Sequence, residues 1–241
     1  MALTAAGRAL FEECVPLLRR LDGFAEQLRG GQQQLAGSFR ITSTVEVASQ
    51  SLARAVASFS TLHPEVRIEV VTSDRLVDLV KEGIDLAIRI GWLRDSSLRA
   101  TRLGTFGQLV LGSPDYLARA GIPARPEDLA RHPWVALTRL PSPLTWRFTG
   151  PGGERRTVRV EARLRVDTGA TLRALLESGA GLSVVDSLSS AEALASGRLQ
   201  RVLARWSLPE GGLYAVLPPG RHTPPVVRAF VEHYRALVRQ A

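Results

Sequence analysis

Residues 74–91 have the sequence DRLVDLVKEGIDLAIRIG, which predicts a helix, a glycine stop and a strand in that order. Ser73 can cap a helix that runs through Lys81, and Gly83 can end it. Residues 86–90 form a nearly continuous apolar run, which is typical of a parallel strand covered on both faces. The stretch therefore predicts the last helix and strand of an α/β unit.

The residues before this stretch complete the unit. Strands are predicted at 38–41 and 66–71, and a helix between them runs to about residue 62, where His63-Pro64 ends it. Strands that alternate with helices favour a doubly wound α/β unit, because right-handed crossovers place the helices on the faces of a parallel sheet.

A second α/β unit is predicted after residue 112. From its first strand to the end of the chain, strands are predicted at 109–111, 134–137, 146–148, 156–166, 182–185 and 213–217. Its predicted helices and the last helix of the chain lie at 114–120, 126–129, 170–178, 188–196 and 225–239. The chain is thus expected to form two Rossmann-like lobes.

The first residues predict a long helix of another kind. An apolar seam with alternating spacings of four and three residues is typical of a helix that pairs with a second helix, although Pro16 predicts a bend. We therefore expect residues 1–30 to form a linker and dimerisation helix. Its pairing residues would be Leu10, Leu17, Leu21, Phe24 and Leu28.

The composition is that of an ordinary globular protein. The chain has 241 residues, of which 45% are hydrophobic and 22% charged, so a disordered chain is excluded. Its one cysteine, Cys14, excludes an internal disulfide. No apolar run is long enough to cross a membrane, and the first residues do not resemble a signal peptide. We expect a cytoplasmic protein.

The net charge of +8 raises the possibility of a polyanionic partner. The densest basic patch alternates with apolar residues on a predicted strand, so we favour a solvated sheet face over a nucleic-acid site. The patch consists of Arg155, Arg156, Arg159, Arg163 and Arg165.

The sequence offers no sign of an enzyme. It has no Gly-x-Ser-x-Gly motif, and Gly179-Ala180-Gly181 precedes a predicted strand where a dinucleotide motif would open a helix. The four histidines are scattered without the spacing of metal ligands. We therefore expect no catalytic residue, no metal and no cofactor.

Nine short stretches occur along the chain in an order that is specific to one family. They are LTAAG (3–7), GSFRI (37–41), HPEV (63–66), DRLVDLVKEGIDLAIRIG (74–91), DSSL (95–98), SPDYL (113–117), PEDL (126–129), AGL (180–182) and RAFV (228–231). With them the chain resembles the LysR-type transcriptional regulators, from their linker helix to their C-terminus.

The resemblance implies a fold like that of the type 2 periplasmic binding proteins, in which two lobes hold a small effector. We expect lobe one at 38–111 plus 213–241 and lobe two at 112–212, with chain crossings near 111–112 and 209–213. The resemblance also implies a homodimer or tetramer in which effector binding controls the geometry of the DNA-bound oligomer.

In such a fold, ligands bind at the carboxyl ends of parallel strands, beside helix N-termini that favour anions. Hydroxyl residues follow the predicted strands there. Each alone is more readily a helix cap, but their convergence on one edge of both lobes favours a binding site. The predicted effector-binding residues are Thr42, Ser43, Thr44, Thr72, Ser73, Thr168 and, after the third strand, Arg89, Gly91 and Trp92.

In the LysR-type family a winged helix-turn-helix precedes the linker, whereas this chain begins at the linker. We therefore expect it to reach DNA only through a helix-turn-helix that it lacks. Two alternatives stay open. One is a headless regulator that acts by heterodimerisation, and the other is a solute-binding protein of similar fold, which the heptad helix and the missing signal peptide disfavour.

Overall fold

The structure, a computed structural model, describes residues 35–92, 99–220 and 222–240, together with Thr4, Gly7, Phe11, Cys14 and Val15. Gly7, Phe11, Cys14 and Val15 are helical, and the Gly7 N–H donates to the Thr4 hydroxyl at 3.2 Å. The predicted pairing residues of helix 1–30 lie outside the described residues: Leu10, Leu17, Leu21, Phe24 and Leu28.

The described residues contain twelve strands. In chain order they are β1 (Gly37–Ser43), β2 (Val66–Thr72), β3 (Leu86–Gly91), β4 (Arg99–Phe106), β5 (Gln108–Gly112), β6 (Trp134–Leu137), β7 (Thr145–Thr149), β8 (Arg155–Arg159), β9 (Ala162–Val166), β10 (Ser183–Asp186), β11 (Gln200–Val202) and β12 (Gly211–Leu217).

Between residues 35 and 240, the described part of the chain contains five α-helices. They are α1 (Val45–Val47, continued by π-helical Ala48–Leu52 and by Ala53–Leu62), α2 (Pro114–Ala120), α3 (Gly169–Glu177), α4 (Ser187–Ala195) and α5 (Pro225–Gln240). A 3-10 helix spans Pro126–Arg131.

The first sheet has the strand order β2-β1-β3-β12-β4. Strands β1, β2 and β3 are parallel, and β12 returns late in the chain to pair antiparallel with β3 and β4. Helices α1 and α5 cover this sheet. Their aromatic side chains form its core, with the Phe230 ring 5.3 Å from Phe39 and 5.2 Å from Phe59, measured between centroids.

The second sheet is built around β5, which lies between β10 and β11. A parallel bridge between Trp134 and Leu182 joins the pair β6-β9 to the β10 side. Helix α3 packs Leu172 and Leu176 against this sheet, in one apolar cluster with Val135. The mixed α/β architecture predicted from the sequence is confirmed.

The chain changes sheets between Phe106 and Gln108 and again between Val202 and Gly211. The predicted crossings were at 111–112, at the end of β5, and at 209–213. The assignment of 38–111 plus 213–241 to lobe one and of 112–212 to lobe two is kept as a proposal.

Two predicted elements differ in the structure. The helix predicted from Ser73 to Lys81 is wrong: residues 73–85 form turns. The Ser73 carbonyl accepts a hydrogen bond from the Arg89 guanidinium at 2.9 Å and its hydroxyl accepts the Arg75 N–H, but no helix follows. The predicted strand 156–166 is two strands, because β8 pairs with β7 while β9 pairs with β6. Its arginines are nevertheless exposed as expected.

Candidate functional site: a cleft between the two sheets

A cleft of about 470 Å³ lies between the two sheets, at the ends of the strands where the chain crosses. Both sheets contribute to its wall. The side from the first sheet includes Thr44, Glu46, Asp74, Arg75, Leu76, Val77, Leu79, Ala87, Arg89, Ile90, Gly91, Trp92, Phe106, Tyr214 and Val216. The side from the second includes Gln108, Leu137, Arg139, Leu140, Gly169, Leu172, Val184, Val185 and Asp186.

Four of the residues predicted to bind an effector line this cleft: Thr44, Arg89, Gly91 and Trp92. Thr44 caps α1, since its hydroxyl accepts the Val47 N–H at 3.3 Å. Gly91 ends β3 with a φ of 145°, a conformation that L side chains rarely adopt. These four residues therefore lie on the cleft wall, and their part in effector binding stays a prediction.

Thr42 and Ser43 are fully buried in β1 and do not line the cleft. The Ser43 hydroxyl donates to the Ile88 carbonyl at 3.2 Å, between neighbouring strands. The Thr42 hydroxyl is buried and has no hydrogen-bond partner among the described residues. Both side chains therefore lie inside the first sheet, beneath the cleft wall.

Thr72, Ser73 and Thr168 also lie outside the lining. Thr72 is exposed at the end of β2. Thr168 caps α3, and its hydroxyl accepts the Thr171 N–H at 3.2 Å. The structure thus uses Thr168 and Thr44 as helix caps, and a role of these hydroxyls in effector binding stays a prediction.

Two arginines approach the cleft from opposite sheets. Arg89 projects from β3, and Arg139 follows β6. Burial lowers the pKa of the Arg89 guanidinium, the nearby positive charge of Arg139 lowers it further, and Asp74 opposes both effects. The Arg89 Nη1 donates to the Ser73 carbonyl at 2.9 Å, while its Nη2 is buried without a partner among the described residues. The two guanidinium groups therefore repel each other, Asp74 offsets part of this repulsion, and an anion between them would offset more of it.

Most of the remaining wall is apolar. Trp92 and Phe106 form an aromatic wall, with their rings 6.2 Å apart and nearly edge to face. The Trp92 indole N–H donates to the Glu210 carbonyl at 2.9 Å, which holds the ring in place. Aliphatic residues of β10 and α3 face the cleft from the second sheet. Such a site suits a molecule with an apolar body and a few polar groups.

Sequence reasoning missed Gln108, which is buried at the point where the chain enters the second sheet. Its Nε2 donates to the Pro209 carbonyl at 3.3 Å, and its Oε1 is buried without a partner among the described residues. An amide at the start of an apolar strand was the one available indication, because a buried polar group there calls for a partner.

Sequence reasoning also missed the acidic end of the cleft, formed by Glu46, Asp74 and Asp186. Glu46 lies in the first turn of α1 and is 7% exposed. Burial and the neighbouring carboxylate of Asp186 raise its pKa to about 7, while Arg173 opposes the effect. Asp186 caps α4 through the Ser189 N–H at 2.8 Å.

The described residues contain no group of three or more histidine, cysteine, aspartate or glutamate side chains that could hold a metal ion. Within the same part of the chain, no helix is long and apolar enough to cross a membrane.

Comparison with known protein families gives one match, the LysR substrate binding domain, over residues 32–239. The HTH-type transcriptional regulator PtxR of Pseudomonas aeruginosa is 40% identical over 235 residues, which are 98% of this chain and 75% of PtxR. The transcriptional activator AaeR of Escherichia coli is 29% identical, and the match covers 90% of this chain and 70% of AaeR. These relatives are transcriptional regulators, not enzymes.

Solved structures of LysR-type regulators have the same fold, which is of the type 2 periplasmic-binding-protein kind. The regulatory domain of CrgA from Neisseria meningitidis has a TM-score of 0.74 and 28% identity, and the match covers 86% of this chain and 99% of that domain. Full-length AphB, a virulence activator of Vibrio cholerae, has a TM-score of 0.70 and 26% identity over 98% of this chain and 80% of AphB.

Proposed function

Because this chain belongs to the LysR-type transcriptional regulators, we propose that it is their effector-sensing and dimerising part and binds a small anionic metabolite in the cleft. The observation that carries the proposal is the arginine pair: Arg89 and Arg139 reach the same cleft from the two sheets. Effector binding would then change how the lobes sit together and, through the oligomer, the activity of an attached DNA-binding head.

The lining defines the class of ligand. A carboxylate between Arg89 and Arg139 would gain charge-assisted hydrogen bonds and relieve the repulsion between the two guanidinium groups. Trp92, Phe106 and the aliphatic residues would cover an apolar body. The proposed effector is therefore an organic acid with an aromatic or aliphatic body, small enough for a cleft of about 470 Å³.

The arginine pair also supplies a reason for a change of shape. Without an anion, two positive charges on opposite sheets oppose closure of the cleft. An anion that contacts both arginines binds a closed state better than an open one, and this difference in affinity is what shifts the equilibrium.

The proposal places the protein in the cytoplasm as a homodimer or tetramer. Its dimerisation would use helix 1–30, whose seam residues are outside the described residues. The AphB and CrgA structures show relatives that carry further residues beyond the part matched here, since this chain covers about four fifths of each full-length chain.

The test is a thermal-shift screen with matched probes. Sodium benzoate and sodium hexanoate carry the proposed carboxylate, while hexylamine and hexanol have a similar apolar body with a positive or no charge. A ligand that binds the folded state raises its melting temperature by mass action. We expect at least one apolar carboxylate to raise the melting temperature and the amine and alcohol to leave it unchanged. An equal rise with amine or alcohol would contradict an anion site.

A further inference from the structure

The carboxylate of Glu46 crosses from the first lobe to the second. It lies on α1, beside the first sheet, yet its Oε1 is 3.2 Å from Arg173 Nη1 on α3. Its other oxygen lies against Gly169, the first residue of α3, so closely that a Cβ on that glycine would collide with it. A side chain that is 7% exposed thus fills the junction between the two helices.

A second pair of contacts makes the same crossing. The Gln50 Nε2 on α1 donates to the Ser189 carbonyl on α4 at 2.9 Å. The Arg173 Nη1 donates to that same carbonyl, also at 2.9 Å. Arg173 therefore connects the Glu46 carboxylate with the backbone acceptor of Gln50, and one cluster of polar groups joins α1 to α3 and α4.

The charges around Glu46 are mostly negative. Asp186 at the start of α4, Glu177 on α3 and Asp74 in the loop after β2 all disfavour its ionised form, and Arg173 alone favours it. Burial disfavours the ionised form most of all. The junction therefore accommodates a neutral Glu46 better than a charged one.

We propose that Glu46 is a proton-dependent latch of the effector cleft, which holds the two lobes together when it is protonated and loosens them when it is ionised. The inference deepens the proposed function, because Glu46 lines the same cleft. A loosened junction exposes the Glu46 carboxylate to water, where its pKa returns to the ordinary value of 4.5. Acid therefore favours the closed junction, since protons favour the state that binds them more tightly.

Amide hydrogen exchange of α3 tests the latch without any effector. Leu172 N–H, which donates to the Thr168 carbonyl at 3.1 Å, reports on the first turn of this helix. After correction for the intrinsic rate, its protection should rise up to about 30-fold between about pH 8 and about pH 5.5, because burial raises the pKa of Glu46 to about 7.

Two variants and a control isolate the carboxylate. Glu46→Gln keeps the shape and removes the charge, so its protection should be high and nearly independent of pH. Arg173→Gln should lower the protection more at about pH 8 than in acid, because it removes the contact with the Ser189 carbonyl at both pH values and the partner of the ionised carboxylate only at about pH 8. Glu69→Gln, an exposed carboxylate paired with Arg40 at 2.9 Å, should keep the wild-type response.

A wild-type protection that does not rise in acid, or a Glu46→Gln protein with the same rise as the wild type, would overturn the latch. Neither result would affect the arginine pair, since no effector is present in the exchange experiment. Conversely, failure of every carboxylate in the thermal-shift screen would contradict the proposed anion site and leave the exchange result valid.

Discussion

Replacing Glu46 by glutamine should stabilise the folded chain above neutral pH and have little effect in acid. The wild-type carboxyl is 7% exposed, and burial with Asp186 nearby raises its pKa to about 7. A carboxyl whose pKa is higher in the folded than in the unfolded state binds more protons when folded. Its contribution to stability is therefore present in acid and is lost as the pH rises through the range between the two values.

The size of the effect follows from the pKa of about 7 and the ordinary value of 4.5. At about 1.4 kcal/mol for each pH unit between them, an ionised Glu46 lowers the free energy of unfolding by about 3 kcal/mol at about pH 8. The penalty falls below about 1 kcal/mol at about pH 5. Glutamine is neutral at both pH values, so the free energy of unfolding of the variant should exceed that of the wild type by roughly these amounts.

Urea unfolding of both proteins across this pH range measures the difference directly. Subtracting the variant from the wild type cancels the histidines and other groups that titrate over the same interval. Glu69→Gln is the matched control, because an exposed ion pair contributes only about 0–1 kcal/mol. Parallel pH profiles for wild type and Glu46→Gln would refute the reasoning.

Three further substitutions test the fold. Phe230→Ala opens the aromatic cluster with Phe39 and Phe59 and should lower the free energy of unfolding by about 3–5 kcal/mol in urea melts; a loss below about 1 kcal/mol would contradict that core. Thr168→Ala removes the cap of α3 and should lower it by about 1 kcal/mol, with faster amide exchange confined to that helix. Gly181→Ala places a Cβ against the Pro133 carbonyl at a φ of 140° and should prevent stable folding, so a melting temperature equal to the wild type would refute the close approach.

The elements with strong periodicity and clear stops were predictable from the sequence. Strand β3 and helix α2 follow from an apolar run and from the Ser113-Pro114 start with its glycine stop. The turns at 73–85 were not predictable from the sequence. One of their contacts is the hydrogen bond from Arg89 to the Ser73 carbonyl, and Arg89 lies next to Ser73 only when β3 has formed. Strand β4 was missed because it is stabilised by pairing with β12, which lies more than a hundred residues later in the chain.

The location of the cleft was predictable, and most of its chemistry was not. Strand ends and helix starts indicate where a ligand would bind, and Thr44, Arg89 and Trp92, which were chosen on that ground, lie on the cleft wall. The partner of Arg89 was not evident, since Arg139 is one of many arginines and only the packing of the two sheets brings it near. Glu46 likewise resembles an ordinary first-turn acid of a helix until α3 is placed against it.

Isothermal titration calorimetry tests the arginine pair most directly. Whichever of benzoate and hexanoate gives the larger thermal shift would be titrated into the wild type, Arg89→Gln, Arg139→Gln and, as the matched control, Arg147→Gln, whose side chain is exposed on β7 away from the cleft. Losing one charge-assisted contact should weaken binding about tenfold or more in each cleft variant. Arg147→Gln should bind like the wild type. Wild-type affinity in both Arg89→Gln and Arg139→Gln would contradict the proposal that this cleft recognises its effector as an anion.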